Sequence, residues 1–327
     1  MKPHYLLLLF LLNQSCDTNE TSVTVAFGSC NDPEYNLSVL PHLSNALDTA
    51  DYMIWLGDNV YLKNDEWKHR DSIEAKYRAV FQREEFQEVL AKSEHLAIWD
   101  DHDAGPNDCS SLSEGLGLTM EYFKFFWKPS YSMPNPNSYY GSKTSHEGLV
   151  EFFFLDNRTF KIPIDSAGAT LYGAEQLAWL DTAYANSSAK IKIVLMGGQF
   201  LNSAQTFENV SIYPEERQHI IDLLSNSSGI PVVLTGDRHH GEISKLITDN
   251  GKSIYDATAS PLTAKSFPHH EENNVYRTHT NTTETNHFGL LRLTFQNDVP
   301  ETIEIQLIDG QNKVLFSLRE TLYFFTI

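Results

Sequence analysis

Four short apolar segments, each followed at once by polar residues, most constrain what this chain can fold into. The segments are residues 22–28, 52–56, 95–99 and 230–235. Their β-branched and aromatic residues, with little charge, predict buried β-strands. Segments with apolar residues at helical spacing lie between them along the chain. This alternation predicts a layered α/β fold in which helices cover the sheets.

The remaining elements follow from the same patterns. A charged stretch at residues 66–92 has apolar residues at helical spacing, which predicts an amphipathic helix that is broken once. Further helices are predicted at residues 41–50, 173–185 and 214–224, and further strands at 149–155, 190–196, 253–259, 289–295, 301–308 and 313–318. The chain therefore alternates strands with helices and then ends in a region that is rich in strands.

Residues 106–141 interrupt this pattern as an insertion. An aromatic cluster lies between Tyr122 and Trp127, and a loop rich in proline, asparagine and serine follows it. We interpret the cluster as core packing, with a lid that faces the substrate as the alternative. The 327 residues suffice for one large domain, and we assign residues 22–327 to it, including the insertion.

The N-terminal residues predict export. Lys2 precedes an apolar run at residues 5–12 that is too short to span a bilayer. Cys16 follows in a context that resembles a bacterial lipoprotein signal. We expect residues 1–16 to be a signal peptide of the lipoprotein type and residues 17–21 to be a polar tether. An ordinary cleaved signal peptide is the alternative, and both place the protein in the periplasm, at the cell surface or outside the cell.

The charge of the chain limits its partners. The formal net charge is −19, which argues against nucleic acid, because phosphate backbones require a basic face. Membrane attachment is expected only through a lipid on Cys16. Part of the negative charge could serve as carboxylate ligands to metal ions.

The polar clusters after the four strands contain side chains that bind metals. They hold Cys30 with Asp32, Asp58 with Tyr61, the run of residues 100–103, and Asp237 with His239. Sites in open α/β sheets lie beyond the carboxyl ends of the strands, so these clusters could converge. Such a set suits hydrolysis at phosphorus with two or more metal ions. Asp58 is the natural bridging carboxylate, and His102 suits protonation of the leaving oxygen.

Four motifs carry a resemblance to a known family. They are F-G-S-C-N-D at residues 27–32, G-D-N-V-Y at 57–61, W-D-D-H-D at 99–103 and G-D-R-H-H at 236–240. The chain is similar to PhoD-like alkaline phosphatases (alkaline phosphatase D), within the calcineurin-like metallophosphoesterases. The resemblance implies an α/β/β/α sandwich of two mixed sheets flanked by helices. It also implies a phosphoric ester hydrolase of the alkaline phosphatase or phosphodiesterase type.

The same resemblance implies the metals and their ligands. It implies Fe³⁺ held by four residues and Ca²⁺ beside the bridging aspartate, with other divalent metals left open. The implied iron ligands are Cys30, Asp58, Tyr61 and His239, and the implied calcium ligands are Asp58, Asp101 and Asp237. Thiolate and phenolate are strongly donating anions that suit a trivalent ion, whereas calcium prefers carboxylate oxygens.

Three positions keep alternatives open. Cys30 could instead form a disulfide with Cys109 in an oxidising compartment. Asn107 is predicted to bind substrate or calcium, and an ordinary loop position is the alternative. Arg158 is predicted to bind phosphate, and a buried ion pair with Asp156 is the alternative.

The sequence thus predicts an exported metal-dependent phosphoesterase. It is expected to hydrolyse phosphodiesters, phosphomonoesters or both by a metal-activated oxygen nucleophile, with His102 and Asp58 as the catalytic residues. The rival hypothesis is a non-catalytic surface lipoprotein that keeps the fold and binds a metal or another ligand.

Overall fold

The computed structural model describes residues 19–267 and 272–322. The predicted signal peptide, with Cys16, lies outside the described residues. The helices are α1 (Leu40–Ala46), α2 (Arg70–Phe81), α3 (Glu84–Leu90), α4 (Asp101–Ala104), α5 (Leu116–Trp127), α6 (Gly173–Asn186) and α7 (Pro214–Asn226). The strands are β1 (Glu20–Gly28), β2 (Tyr52–Leu56), β3 (Glu94–Ile98), β4 (Gly141–Ser145), β5 (Val150–Phe154), β6 (Ile191–Met196), β7 (Ile230–Thr235), β8 (Glu242–Ile247), β9 (Ser253–Thr258), β10 (His287–Gln296), β11 (Val299–Asp309) and β12 (Val314–Thr321).

The strands form two mixed sheets. The first sheet has the order β12-β11-β10-β1-β2-β3, and the second has the order β4-β5-β6-β7-β9-β8. Strands β1, β2 and β3 run parallel in the first sheet, as do β5, β6, β7 and β9 in the second. The other pairs are antiparallel. The predicted sandwich of two mixed sheets is therefore confirmed.

Three apolar layers hold the sandwich together. The layer between the sheets contains Phe27 from β1, Ile54 from β2 and Phe152 from β5. Trp55, the neighbour of Ile54, points to the opposite face, where the first sheet packs against α1, α2, α3 and α5. The second sheet packs its outer face against α6 and α7, through residues such as Tyr184. The layers therefore run α/β/β/α.

The aromatic insertion belongs to the outer layer of the first sheet. Phe123 is fully buried and Trp127 is 8% exposed, and the ring of Trp127 lies 5.3 Å from the ring of Trp55. Phe125, on the same helix, is 59% exposed. The interpretation as core packing is confirmed for Phe123 and Trp127, and the lid alternative is wrong for them.

Four elements were not predicted from the sequence. They are strands β4 and β8, the four-residue helix α4, and helix α5 within the insertion. Strand β4 has the polar sequence GSKTS and lies at a sheet edge, so no apolar pattern marks it. Strand β1 begins at Glu20, inside the stretch expected to be a tether. The break predicted within residues 66–92 separates α2 from α3.

The carboxyl ends of the parallel strands meet at one end of the sandwich. The backbone N–H of Cys30, after β1, donates to the carbonyl of Gly57, after β2, at 3.2 Å. A side-chain carbon at Gly236, after β7, would lie 2.5 Å from the carbonyl oxygen of Leu56. Glycine therefore lets the strand ends of the two sheets approach closely. No helix among the described residues has the length and apolar character needed to cross a bilayer.

Candidate metal centre and active site

The loops after β1, β2, β3 and β7 bring the predicted site residues together. Donor atoms of Cys30, Asp58 and His239 lie within 4.8 Å of one another, and so do those of Asp58, Asp101 and His102. Asp58 belongs to both groups, which is the arrangement expected of a bridging carboxylate. Separate sequence motifs thus form one cluster.

The first group is compact and nearly closed to water. The Sγ atom of Cys30 lies 3.6 Å from Oδ2 of Asp58. The hydroxyl of Tyr61 donates to the same Asp58 oxygen at 3.2 Å and lies 3.3 Å from Nε2 of His239. Cys30, Asp58 and Tyr61 are 0%, 1% and 8% exposed. A thiol, a carboxyl, a phenol and an imidazole therefore converge in a buried space.

Neighbouring groups orient these side chains. The Ser260 hydroxyl donates to the Cys30 sulfur at 3.2 Å, and its oxygen accepts the backbone N–H of His239 at 2.8 Å. The Nδ1 atom of His239 contacts the carbonyl oxygen of Lys265. A ring that donates from Nδ1 keeps its Nε2 lone pair for a ligand. His239 therefore presents Nε2 to Tyr61 and to the rest of the group.

The backbone at these positions is unusual. Cys30, Asp58, Asp237 and His239 have φ angles of 56°, 54°, 65° and 53°. Residues other than glycine rarely adopt this left-handed region, at a cost of order 1 kcal/mol or more each. Four such residues in one cluster indicate that the surrounding structure holds these side chains in place despite the strain, as is typical of functional sites.

Helix α4 divides the acidic run into an inner and an outer pair. Asp100 and Asp103 form a capping box: the Asp100 carboxylate accepts the N–H of Asp103, and Oδ2 of Asp103 accepts the N–H of Asp100 at 3.0 Å. Oδ1 of Asp100 also accepts the N–H of Asp101 at 3.0 Å. Asp103 also accepts the backbone N–H groups of Asn59 and Val60. Asp100 and Asp103 are thus fully buried supports that tie the β2 and β3 loops together.

Asp101 and His102 face the cleft instead. Asp101 accepts the N–H of His102 at 2.9 Å and the N–H of Asp108 at 2.6 Å. The His102 N–H also lies 3.3 Å from Oδ1 of Asp58, and its ring stacks on Tyr61 with the centroids 4.4 Å apart. The imidazole is therefore fixed beside both groups of donor atoms.

The structure places the side chain of Arg158, which the sequence predicts to bind phosphate, inside the protein. Its side chain is 1% exposed, and Nε donates to Oδ1 of Asp100 at 2.5 Å. Its other nitrogens donate to Glu208 at 2.5 Å and to the carbonyl of Cys109 at 3.2 Å. Asp156 accepts the backbone N–H of Arg158 and is not the partner of the guanidinium. The guanidinium donors are thus used inside the protein.

The cluster concentrates acidic groups away from water. Burial raises the pKa of the Cys30 thiol to about 12. Burial and nearby carboxylates raise the pKa of Asp58 well above its ordinary value, and that of Asp237 to about 7. At Asp101, burial raises the pKa, but the charges of Arg158 and His102 and the hydrogen bond from the Asp108 N–H together outweigh burial, and the net pKa is lowered. A bound cation would offset this repulsion, so the residues fit a metal centre in charge as well as in donor type.

A cleft of about 250 Å³ opens over the cluster. Asn107 is exposed and lies on its wall, as do four residues that the sequence analysis did not select. Those four are Phe207, Glu208, Arg238 and Phe267. Arg238 stands inside the G-D-R-H-H motif and could have been selected there. Phe207 and Glu208 come from a loop without any motif.

The cysteine alternative is resolved. Cys30 and Cys109 are both buried and both free. The Cys109 thiol donates to the carbonyl of Asp101 at 3.7 Å and therefore packs behind α4. The disulfide alternative is wrong, and Cys30 keeps its thiol beside Asp58.

Comparison with known proteins agrees with this geometry. The profile of a family described as PhoD-like phosphatase matches residues 127–304, which is just over half of the chain. The matched region includes Asp237 and His239 and begins after the first three motifs. No curated protein sequence matches the chain significantly.

Two solved structures share the fold. A structure of PhoD has a TM-score of 0.71 and 17% identity, with coverage of 92% of this chain and 68% of that chain. Purple acid phosphatase PPD1 from yellow lupin (Lupinus luteus) seeds has a TM-score of 0.64 and 12% identity, with coverage of 91% of this chain and 53% of that chain. This chain thus spans about half the length of the lupin enzyme. The family match and the fold suggest a metal-dependent phosphoesterase. The chain belongs to the PhoD-like phosphatase family and is a phosphoric ester hydrolase.

Proposed function

We propose that this chain is an exported metal-dependent phosphoesterase in which Cys30, Asp58, Tyr61 and His239 hold a ferric ion. The observation that carries the proposal is the convergence of these four donor groups on one buried point, with contacts of 3.2–3.6 Å between them. Sulfur and phenolate ligands favour a trivalent ion over magnesium or calcium, which prefer neutral or carboxylate oxygens.

Calcium is the second proposed metal, with Asp58, Asp101 and Asp237 as its ligands. Asp58 and Asp101 bring carboxylate oxygens to the same group, and Asp237 lies on the wall of the cleft above it. Carboxylate oxygens alone make a hard donor set. When bound, the two metals supply positive charge that activates an oxygen nucleophile and neutralises the phosphoryl oxygens.

His102 is the proposed proton donor to the leaving oxygen. Its ring lies on the wall of the cleft, its backbone N–H is held by Asp101, and its ring stacks on Tyr61. A histidine fixed beside the metal ligands can deliver a proton without losing its orientation. Asn107, which is exposed on the same wall, is proposed to donate a hydrogen bond to the substrate.

Export is proposed from the N-terminal sequence. An apolar run followed by Cys16 supports a signal peptide of the lipoprotein type, with lipid attached to that cysteine. In cells that express the full chain, labelled palmitate should be incorporated into the wild-type protein and not into Cys16→Ser. Labelling of both proteins, or of neither, would contradict the lipoprotein assignment.

We further propose that diesters are the preferred substrates, with monoesters as lesser ones. The test compares hydrolysis of bis(4-nitrophenyl) phosphate and 4-nitrophenyl phosphate at mildly alkaline pH, with calcium and then with a chelator. We expect turnover that the chelator abolishes, with the diester faster. A faster monoester would contradict the proposed preference.

Two variants test the site itself. Asp58→Ala should lose turnover of both esters, and His219→Ala, which changes an exposed histidine on α7, should keep it. Full activity of Asp58→Ala would contradict the proposed site. Absence of turnover in folded, metal-loaded wild-type protein would favour a non-catalytic binding protein.

A further inference from the structure

Two exposed phenylalanines stand at the mouth of the catalytic cleft. Phe207 is 67% exposed and Phe267 is 43% exposed, and both line the same cleft as His102 and Asn107. Large apolar side chains at the rim of a strongly acidic cleft do not contribute to the core. Exposed apolar surface that adjoins a polar site is typical of a surface that binds a ligand.

The loop that carries Phe207 is firmly anchored. The next residue, Glu208, accepts from Arg158 at 2.5 Å and also pairs with Lys161. The side-chain amide of Asn209 donates to the backbone carbonyl of Ala204 at 2.9 Å. Phe207 itself has a φ angle of 47°, a left-handed conformation that is costly for a bulky residue. The loop therefore holds an exposed ring in place at an energetic cost.

Each ring is also fixed against a residue of the motif that follows β7. The guanidinium of Arg238 lies 4.8 Å from the centroid of the Phe207 ring. The Phe267 ring lies 5.1 Å from the His239 ring, and the backbone N–H of Phe267 donates to the backbone carbonyl of His239 at 3.2 Å. Phe267 is therefore placed by His239, a proposed iron ligand, and Phe207 by Arg238, the residue before His239 in the chain.

We propose that Phe207 and Phe267 bind a planar apolar substituent on the phosphorus of the substrate. The proposal rests on the proposed diesterase function and names its substrate class: diesters in which the retained substituent is an aromatic group. The metals that the acidic residues would hold bind the phosphoryl group, so the two rings offer the apolar surface for such a substituent. Each aromatic contact is expected to strengthen binding by about fivefold.

The test uses two diesters that release the same leaving group. Bis(4-nitrophenyl) phosphate retains an aryl group after cleavage, whereas methyl 4-nitrophenyl phosphate retains a methyl group. For Phe207→Ala and Phe267→Ala we expect kcat/KM on the bis-aryl ester to fall about fivefold each, through KM. On the methyl ester we expect little change. Comparing each variant with wild type on the same substrate cancels the difference in intrinsic reactivity between the esters.

Matched variants separate ring binding from general damage. Phe125→Ala removes a phenylalanine on α5 whose exposure, 59%, lies between those of Phe207 and Phe267, and should leave both rates unchanged. Phe207→Leu keeps an apolar side chain without a planar ring and should recover only part of the aryl preference. An equal loss on both diesters, or no loss on either, would overturn the proposal.

A binding measurement keeps the inference distinct from the proposed function. Calorimetry with phenylphosphonate and methylphosphonate, on metal-loaded protein, needs no turnover. If wild-type protein hydrolyses neither diester but binds phenylphosphonate more tightly, and Phe207→Ala removes that difference, the diesterase function fails and the aromatic site stands. Equal affinities for the two phosphonates in wild type would refute the aromatic site, whether or not the diesters are hydrolysed.

Discussion

Replacing Arg158 with methionine removes the cation that lies between two buried carboxylates. Asp100 is fully buried and Glu208 is largely buried, and Arg158 donates to both. Loss of one partner from a buried ion pair typically costs about 3–5 kcal/mol, because the remaining charges lose their compensation. We expect the free energy of unfolding to fall by about that amount. If the free energy of unfolding falls by roughly 2 kcal/mol for each molar of urea, the urea concentration at the unfolding midpoint would fall by about 2 M.

The assay is urea unfolding followed by tryptophan fluorescence, with Arg70→Met as the matched control. Arg70 makes a comparable two-pronged contact with Glu121, but both side chains are more than half exposed, so the control should lose about 1 kcal/mol or less. A stability change in Arg158→Met as small as that of the control, together with a raised KM for phosphoesters, would refute the reasoning. That result would return Arg158 to the phosphate-binding role predicted from the sequence.

Three further outcomes are expected. His102→Ala should lower kcat by about 10²–10⁴-fold without changing metal content, measured by elemental analysis and steady-state kinetics; unchanged kcat would exclude the proton donor role. Tyr61→Phe in iron-loaded protein should lose the visible absorption that a phenolate–iron contact gives, and a retained band would argue against that ligand. Burial lowers the pKa of His287 to about 4, from about 6.5 in the unfolded chain, so stability is lost as pH falls through this window, by up to about 3 kcal/mol. His287→Gln should flatten this loss in urea titrations at pH 7 and pH 4.5, whereas His219→Gln should not.

The sequence predicted the scaffold of the site because its signals are local. A short apolar run in the sequence predicts a buried strand, and the polar residues that follow the run lie in the turn after the strand. The parallel arrangement of β1, β2 and β3 then brings Cys30, Asp58 and Asp101 to one edge. Neither the position of each strand nor the chemistry of its end requires knowledge of distant contacts.

The ion pairs around the site could not be predicted in the same way. Arg158 meets Asp100 across 58 residues and Glu208 across 50 residues of sequence. Spacing within a motif carries no information about such pairs. The nearest acidic residue, Asp156, was the local candidate, but its oxygens are occupied by backbone N–H groups and by the indole of Trp99. The guanidinium of Arg158 therefore pairs with acidic residues from other loops.

The run of acidic residues at the end of β3 shows what composition alone leaves out. The four consecutive positions are three aspartates and a histidine, yet one short helical turn points the first and fourth in one direction and the second and third in another. Asp100 and Asp103 satisfy backbone N–H groups inside the protein, and Asp101 and His102 reach the cleft. Because the inner pair fixes the turn, a substitution at Asp103 should disturb the position of His102 without removing any group from the cleft. The same four residues therefore supply both the buried support and the groups that face the cleft, and the helical repeat, which places residues i and i+3 on one side, separates the two pairs.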